Sequence, residues 1–174
     1  MKNKAKKHFC LKASPSQMII TWVTLDYEVN MQPVCEYGPG IPNLPVKGFS
    51  KLFRDGGSQQ RQIAVHQVMI NDLKPNQMYN YHCGSNYGWS SLYFFKTMRA
   101  DQDWSPRFAV FGDMGNVNAQ SLPRIQEEAM LGFYDAILHV GDFAYDMHTD
   151  NARVGDAFMN QIQPIAAYLP YMTW

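Results

Sequence analysis

The chain has 174 residues, 46% of them hydrophobic and 14% aromatic, enough for one ordinary domain or two small ones with a real core. Its 15 basic and 15 acidic side chains cancel, so the whole carries no electrostatic footprint for nucleic acid or an anionic membrane surface. No apolar run approaches the roughly 18 residues that a membrane-spanning helix needs.

In chain order, the start "MKNKAKKHFCLKASP" is basic and is followed by no apolar stretch of signal-peptide length; it reads as a solvated, frayed tail. The segments "QMIITWVT", "PVCEYG", "QIAVHQVMI", "MYNYHCGS" and "LYFFKT" come next, rich in β-branched and aromatic residues. Between them lie the turn clusters "GPGIPNLP", "RDGGSQ", "NDLKPNQ" and "SNYGWS". Short strands between Gly/Pro/Asn turns, without helical period, predict an all-β sandwich. Trp22 is its expected central aromatic, and His66 and His82 are expected as half-buried sheet residues. The three cysteines, Cys10, Cys35 and Cys83, are odd in number and widely spaced, with no CxxC pair to indicate structural zinc. They read as buried or free thiols, with a Cys35–Cys83 bridge open if both lie on adjacent strands. No Asn-x-Ser/Thr sequon occurs.

Within "LKPNQMY", Leu73, Pro75 and Tyr79 have an L-x-P-x-x-x-Y spacing that resembles the fibronectin type III family. The resemblance implies that Tyr79 begins a late strand and that its hydroxyl ties back to the preceding corner. The polar stretch "RADQDWSPRF" then changes the pattern. It places a linker at about residues 99–105, between a unit over 8–98 and a second over 106–174.

The second unit opens with the apolar run "RFAVFGD". "NAQSLPRIQEEAMLGFY" has Leu122, Ile125, Ala129 and Met130 near helical spacing, with Ser121 as a cap and Pro123 in the first turn. "DAILHVGD" is a second apolar run, "ARVGDAFMNQIQPIAAYLP" a further helix interrupted at Pro164, and "PYMTW" the start of a third strand. Strand, crossover helix and strand imply a right-handed parallel unit. Asp113 and Asp142 each follow a glycine at the end of an apolar run. On neighbouring strands the run ends lie about 5 Å apart. Both carboxylates would face the crevice beyond the strand ends, where open α/β sheets bind ligands. Two carboxylates there repel unless a multivalent cation joins them, which points to a metal site. Tyr145, three residues after Asp142, can reach the same ion across one turn. A phenol with a pKa of about 10 becomes a ligand only under a strongly acidic ion, of which ferric iron is the natural example. Alternatively, Tyr145 is an ordinary aromatic at the pocket edge.

"FGDMG" followed by "VGDFAYD" resembles the first two of five metal-ligand blocks of the purple acid phosphatases, in the binuclear metallophosphoesterase superfamily. "WSPRFAVFGDMG", "YDAILHVGDFAYDM" and "DNARVGDAFM" are most similar to the animal, long two-domain form. Many superfamily members carry a histidine two residues after the first aspartate. Here Gly115 stands there, and Tyr145 compensates. The resemblance implies an all-β, fibronectin type III-like sandwich followed by an incomplete α/β metallophosphoesterase domain. It implies Fe(III) held by Asp113, Asp142 and Tyr145, with Asp142 bridging to a divalent zinc, iron or manganese ion. The implied reaction is acid phosphatase hydrolysis of phosphate monoesters, small ones or those of phosphoproteins, by in-line attack between two ions. The implied location is secreted or lysosomal. The three later ligand blocks, G-N-H-[DE], an isolated His and G-H-x-H, are not in the sequence, and His139 and His148 fit none of them. The expectation is therefore a chain cut short before G-N-H-E, which alone binds metal poorly with half its ligands absent and is inactive. The alternative is a non-catalytic fibronectin-like interaction module.

Overall fold

The computed structural model of the chain describes residues 7–25 and 31–173. The molecule is mostly β. Its first part contains β1 (Lys7–Ser14), β2 (Gln17–Thr24), β3 (Val34–Gly38), β4 (Leu44–Lys47), β5 (Phe49–Arg54), β6 (Gln62–Ile70), β7 (Met78–Ser85), β8 (Gly88–Trp89) and β9 (Tyr93–Lys96). They form two sheets, one in the order β1-β2-β6-β5, the other β4-β3-β7-β8 with β9 also on β7. All the pairings are antiparallel.

Alternation along the strands builds the core between the sheets. Ile20 and Trp22 of β2 and Val68 and Ile70 of β6 meet Tyr81 and Cys83 of β7 and Phe95 of β9 in one buried cluster. Trp22 is 1% exposed, as its sequence setting predicts. Tyr79 stacks on Phe95 at 5.6 Å, and its hydroxyl accepts a hydrogen bond from the Lys74 amide at 3.0 Å. That tie is the corner expected from "LKPNQMY".

Three expectations are corrected here. The basic start is not all tail, because from Lys7 it pairs with β2 as an edge strand, Cys10 opposite Ile20; residues 1–6 lie outside the described residues. His66 is fully buried, not half-buried, held between two hydroxyls, at 2.9 Å from Thr24 Oγ1 and 2.7 Å from Ser50 Oγ. His82 is half-buried and faces Glu36 at 2.9 Å. Cys35 and Cys83, directly opposite on β3 and β7, are not free thiols but form a disulfide. The Cys83 amide donates to Ser90 Oγ and its carbonyl accepts from the Ser90 amide. The Cys35–Cys83 pair is thus a closely spaced position of the ladder that a bridge can span.

The second part contains β10 (Phe108–Phe111), α1 (Leu122–Met130), β11 (Ala136–His139), α2 (Thr149–Ala166) and β12 (Tyr171–Thr173). The three strands form one parallel sheet in the order β10-β11-β12. Leu122, Ile125 and Ala129 of α1 and Phe158, Ile162 and Ile165 of α2 pack with Ala109, Ile137 and Tyr171 of the sheet. Met130, placed by spacing on the inner face of α1, is 47% exposed instead, because it sits past the last buried turn. Ser121 occupies the cap position but makes no side-chain cap bond, its backbone being already helical. Pro164 does not interrupt α2; it falls in the last turn, and the helix closes two residues later with the Ala167 amide bonded to the Gln163 carbonyl.

The two parts touch along α2. At its start, Arg61 reaches Asp156 at 2.5 Å and the Asn151 carbonyl at 2.7 Å. At its end, the Tyr81 hydroxyl donates to the Ala167 carbonyl at 2.6 Å, and Gln163 donates to the Tyr93 hydroxyl at 3.0 Å. Tyr168 packs its ring against Tyr93 and Phe94.

Candidate functional site

The parallel register sets Phe111 beside His139, so both strands deliver their next residues to the same end of the sheet. The chains stay zipped beyond the strands. The Val140 amide donates to the Phe111 carbonyl at 2.8 Å, the Asp113 amide to the Asp142 carbonyl at 3.1 Å, and the Ala144 amide to the Met114 carbonyl at 3.3 Å. Gly112 permits this approach, since a Cβ there would stand 2.3 Å from the Val140 carbonyl oxygen. Gly141 turns the second loop with φ +82°, a backbone that favours glycine. Asp113 itself adopts φ 56° and Ala144 φ 53°. Left-handed residues other than glycine persist where the surroundings hold them, and they gather at functional sites.

This geometry brings Asp113, Asp142 and Tyr145 together. The Tyr145 hydroxyl donates to Asp113 Oδ1 and lies 3.1 Å from Asp142 Oδ2. One phenol oxygen therefore faces a carboxylate oxygen from each strand end. The bond to Asp113, partial loss of water and the nearby Asp142 all hold the phenol well above its ordinary pKa. A cation among the three oxygens would reverse that preference. All three side chains are exposed, Tyr145 at 45%, so the cluster is open to solvent. Gly115 packs under the tyrosine, where a Cβ would lie 3.2 Å from Tyr145 Cδ2. A crevice of about 170 Å³ opens beside Asp113 toward Asn118 and Ser121. A larger cleft of about 640 Å³, lined by Lys96, Trp104 and Arg107, lies at the other end of the parallel strands and includes neither carboxylate.

Two supporting residues were not visible as such in the sequence. His139 is fully buried beneath the loop, and its Nε2–H donates to the Asp142 carbonyl at 3.2 Å. Burial lowers its pKa and keeps the ring neutral, so Nδ1 accepts from the Tyr171 hydroxyl at 2.8 Å. Its place in the apolar run "DAILHVGD" gives no sign of this tie to the Asp142 backbone. His148 is exposed at the start of α2. Among the described residues, no three His, Cys, Asp or Glu side chains cluster as a metal-holding group. The third member of the present cluster is a tyrosine.

Comparison with known proteins identifies the class to which this fold belongs. The family described as Purple acid Phosphatase, N-terminal domain, matches residues 6–97. The chain belongs to the purple acid phosphatase family. It is 44% identical over 166 residues to acid phosphatase type 7 of Danio rerio and 43% identical over 171 residues to that of Homo sapiens. Each alignment covers 95% of this chain and 38% of the relative, so the chain spans little more than a third of the length of these relatives. A solved purple acid phosphatase from yellow lupin (Lupinus luteus) seeds superposes with a TM-score of 0.77 at 26% identity, over 95% of this chain and 34% of that one.

Proposed function

We propose that Asp113, Asp142 and Tyr145 are metal ligands of an acid phosphatase that hydrolyses phosphate monoesters at a binuclear centre. The observation that carries this reading is the convergence of the Tyr145 oxygen on both carboxylates. Asp113, Asp142 and Tyr145 would hold Fe(III) as hard oxygen donors, and Asp142 would also serve a divalent zinc, iron or manganese ion. When bound, the ion pair supplies Lewis-acid activation and charge neutralisation for phosphoryl transfer. The chain's own residues orient the donors: the zipped strand ends fix the spacing, and His139 pins the Asp142 carbonyl.

On this reading residues 8–98 are a fibronectin type III-like sandwich, supported by the two facing sheets and the Tyr79 corner. Residues 106–174 are the opening part of a metallophosphoesterase domain, supported by the parallel sheet and its strand-end carboxylates. A secreted or lysosomal location is supported by the Cys35–Cys83 bridge, which persists in oxidising compartments. Among the described residues, no helix is long and apolar enough to cross a membrane. Small phosphate monoesters or phosphoproteins are the substrate class for the whole enzyme. The 174 residues alone supply only the first two ligand blocks, so the chain by itself is expected not to turn over p-nitrophenyl phosphate.

The test is visible absorption after addition of ferric iron. A broad tyrosinate band in the wild-type chain that vanishes in Tyr145→Phe would support Asp113, Asp142 and Tyr145 as a half-site that assembles without the later blocks. The same band in both would remove Tyr145 from the site. A colourless wild-type chain would move the function to the sandwich as a non-catalytic interaction module, and full turnover would overturn the need for the later blocks.

A further inference from the structure

We infer that the sandwich loop over residues 55–61 is a brace that positions the segment bearing Asp142 and Tyr145. Four turn residues lead from Tyr145 into α2, and the first turn of that helix is abnormal. Asp150, Asn151 and Ala152 have φ of 52°, 51° and 64°, a left-handed turn inside a right-handed element. L-residues do not hold such a turn unaided.

What holds it comes from the sandwich. Asn151 Oδ1 accepts from the Gln59 amide at 2.9 Å and from Ser58 Oγ at 3.1 Å. Arg61 donates to the Asn151 carbonyl at 2.7 Å and to Asp156 at 2.5 Å, and Arg153 returns a bond to Gln59 Oε1 at 2.7 Å. The loop is itself stiffened: the Gly57 amide donates to Asp55 Oδ2, and the Asp55 amide to the Arg61 carbonyl. The clamped turn is linked back toward the site by local backbone bonds. The Ala152 amide donates to the His148 carbonyl, Gly155 to Met147, and Thr149 to Asp146, the residue after Tyr145. Arg61 and Asn151 touch none of the reacting groups; they are positioning residues. Their chemical consequence rests on the metal reading above, but the positioning does not.

The test is amide hydrogen exchange on the full chain in Arg61→Met and Asn151→Gly, with Arg61→Lys as the conservative variant. Asn151→Gly removes the side-chain acceptor while tolerating the left-handed turn, so it keeps the fold. Exchange over residues 142–149 should quicken about tenfold in both variants, with β11 and β6 unchanged and Arg61→Lys intermediate. In iron-loaded samples the tyrosinate band should weaken or shift in the same order. Faster exchange confined to 55–61 and 150–156, or spread evenly over the chain, would overturn the brace. If the exchange pattern holds but the wild type takes up no colour, the metal reading falls and the brace stands. If the wild type colours and neither measurement moves in the variants, the brace falls alone.

Discussion

Asp113 presents its carboxylate from a left-handed backbone, and the two glycines flanking it at positions 112 and 115 serve different purposes. A Cβ on Gly112 would meet a backbone carbonyl oxygen at 2.3 Å, and the Val140 backbone that carries it is fixed in the zipped ladder. A Cβ on Gly115 would meet only the edge of the exposed Tyr145 ring, at 3.2 Å. Gly112→Ala should therefore destabilise the chain by about 2–3 kcal/mol, and Gly115→Ala by less than about 1 kcal/mol. Urea unfolding of the two variants measures the difference, and equal midpoints would sink the argument. The smaller change should still matter locally, because the ring that gives way carries the oxygen shared by both carboxylates.

Among the elements, β3 and β7 carry the strongest covalent constraint. Their bridge closes a loop with a sequence separation of 48, so reduction, or Cys35→Ala with Cys83→Ala, should cost about 4 kcal/mol on the chain-entropy account. Urea unfolding with and without reductant reads that loss; unchanged midpoints would count against it. The bridge also shows where reading the sequence stops. Composition marks Cys35 and Cys83 as strand residues, but only the pairing register places them opposite each other. β2, β6 and β7 were legible because their alternation is regular and their inward faces are apolar or aromatic. β4 and β5 were not, since the Gly/Pro-rich "GPGIPNLP" runs into an edge strand containing Pro45, and β5 is exposed on both faces. β1 was hidden by its lysines, which suit an edge strand as well as a tail. Asp113 and Asp142 could be placed at one crevice because the Gly-Asp pairs end two apolar runs. The clamp on Asn151 joins residues about 90 positions apart and leaves no local pattern.

For the molecule as a whole, acid is expected to weaken the fold through buried imidazoles, His66 foremost. Burial lowers the pKa of His66 from 6.5 to about 4. Between those values the unfolded chain binds a proton that the folded chain refuses. Stability from this group is thus complete above pH 6.5 and falls by about 3 kcal/mol as the pH drops to 4. Urea midpoints at pH 7 and pH 4.5 in the wild type and His66→Gln test this, and the variant should show a shallower pH slope. An equal slope in both would assign the acid sensitivity elsewhere.

The contacts at the two ends of α2 carry a mechanical consequence. Beyond its left-handed turn the helix runs regularly for about 14 residues, about 21 Å, and the element is fastened to the sandwich near both extremities, by Arg61 at one and by Tyr81 and Tyr93 at the other. A beam fixed at both ends resists rotation where one fixed at a single end would pivot. These ties at both ends oppose a hinge motion at the polar stretch over 99–105. Entry to the crevice beside Asp113 then falls to the loops that rim it rather than to a swing of the sandwich.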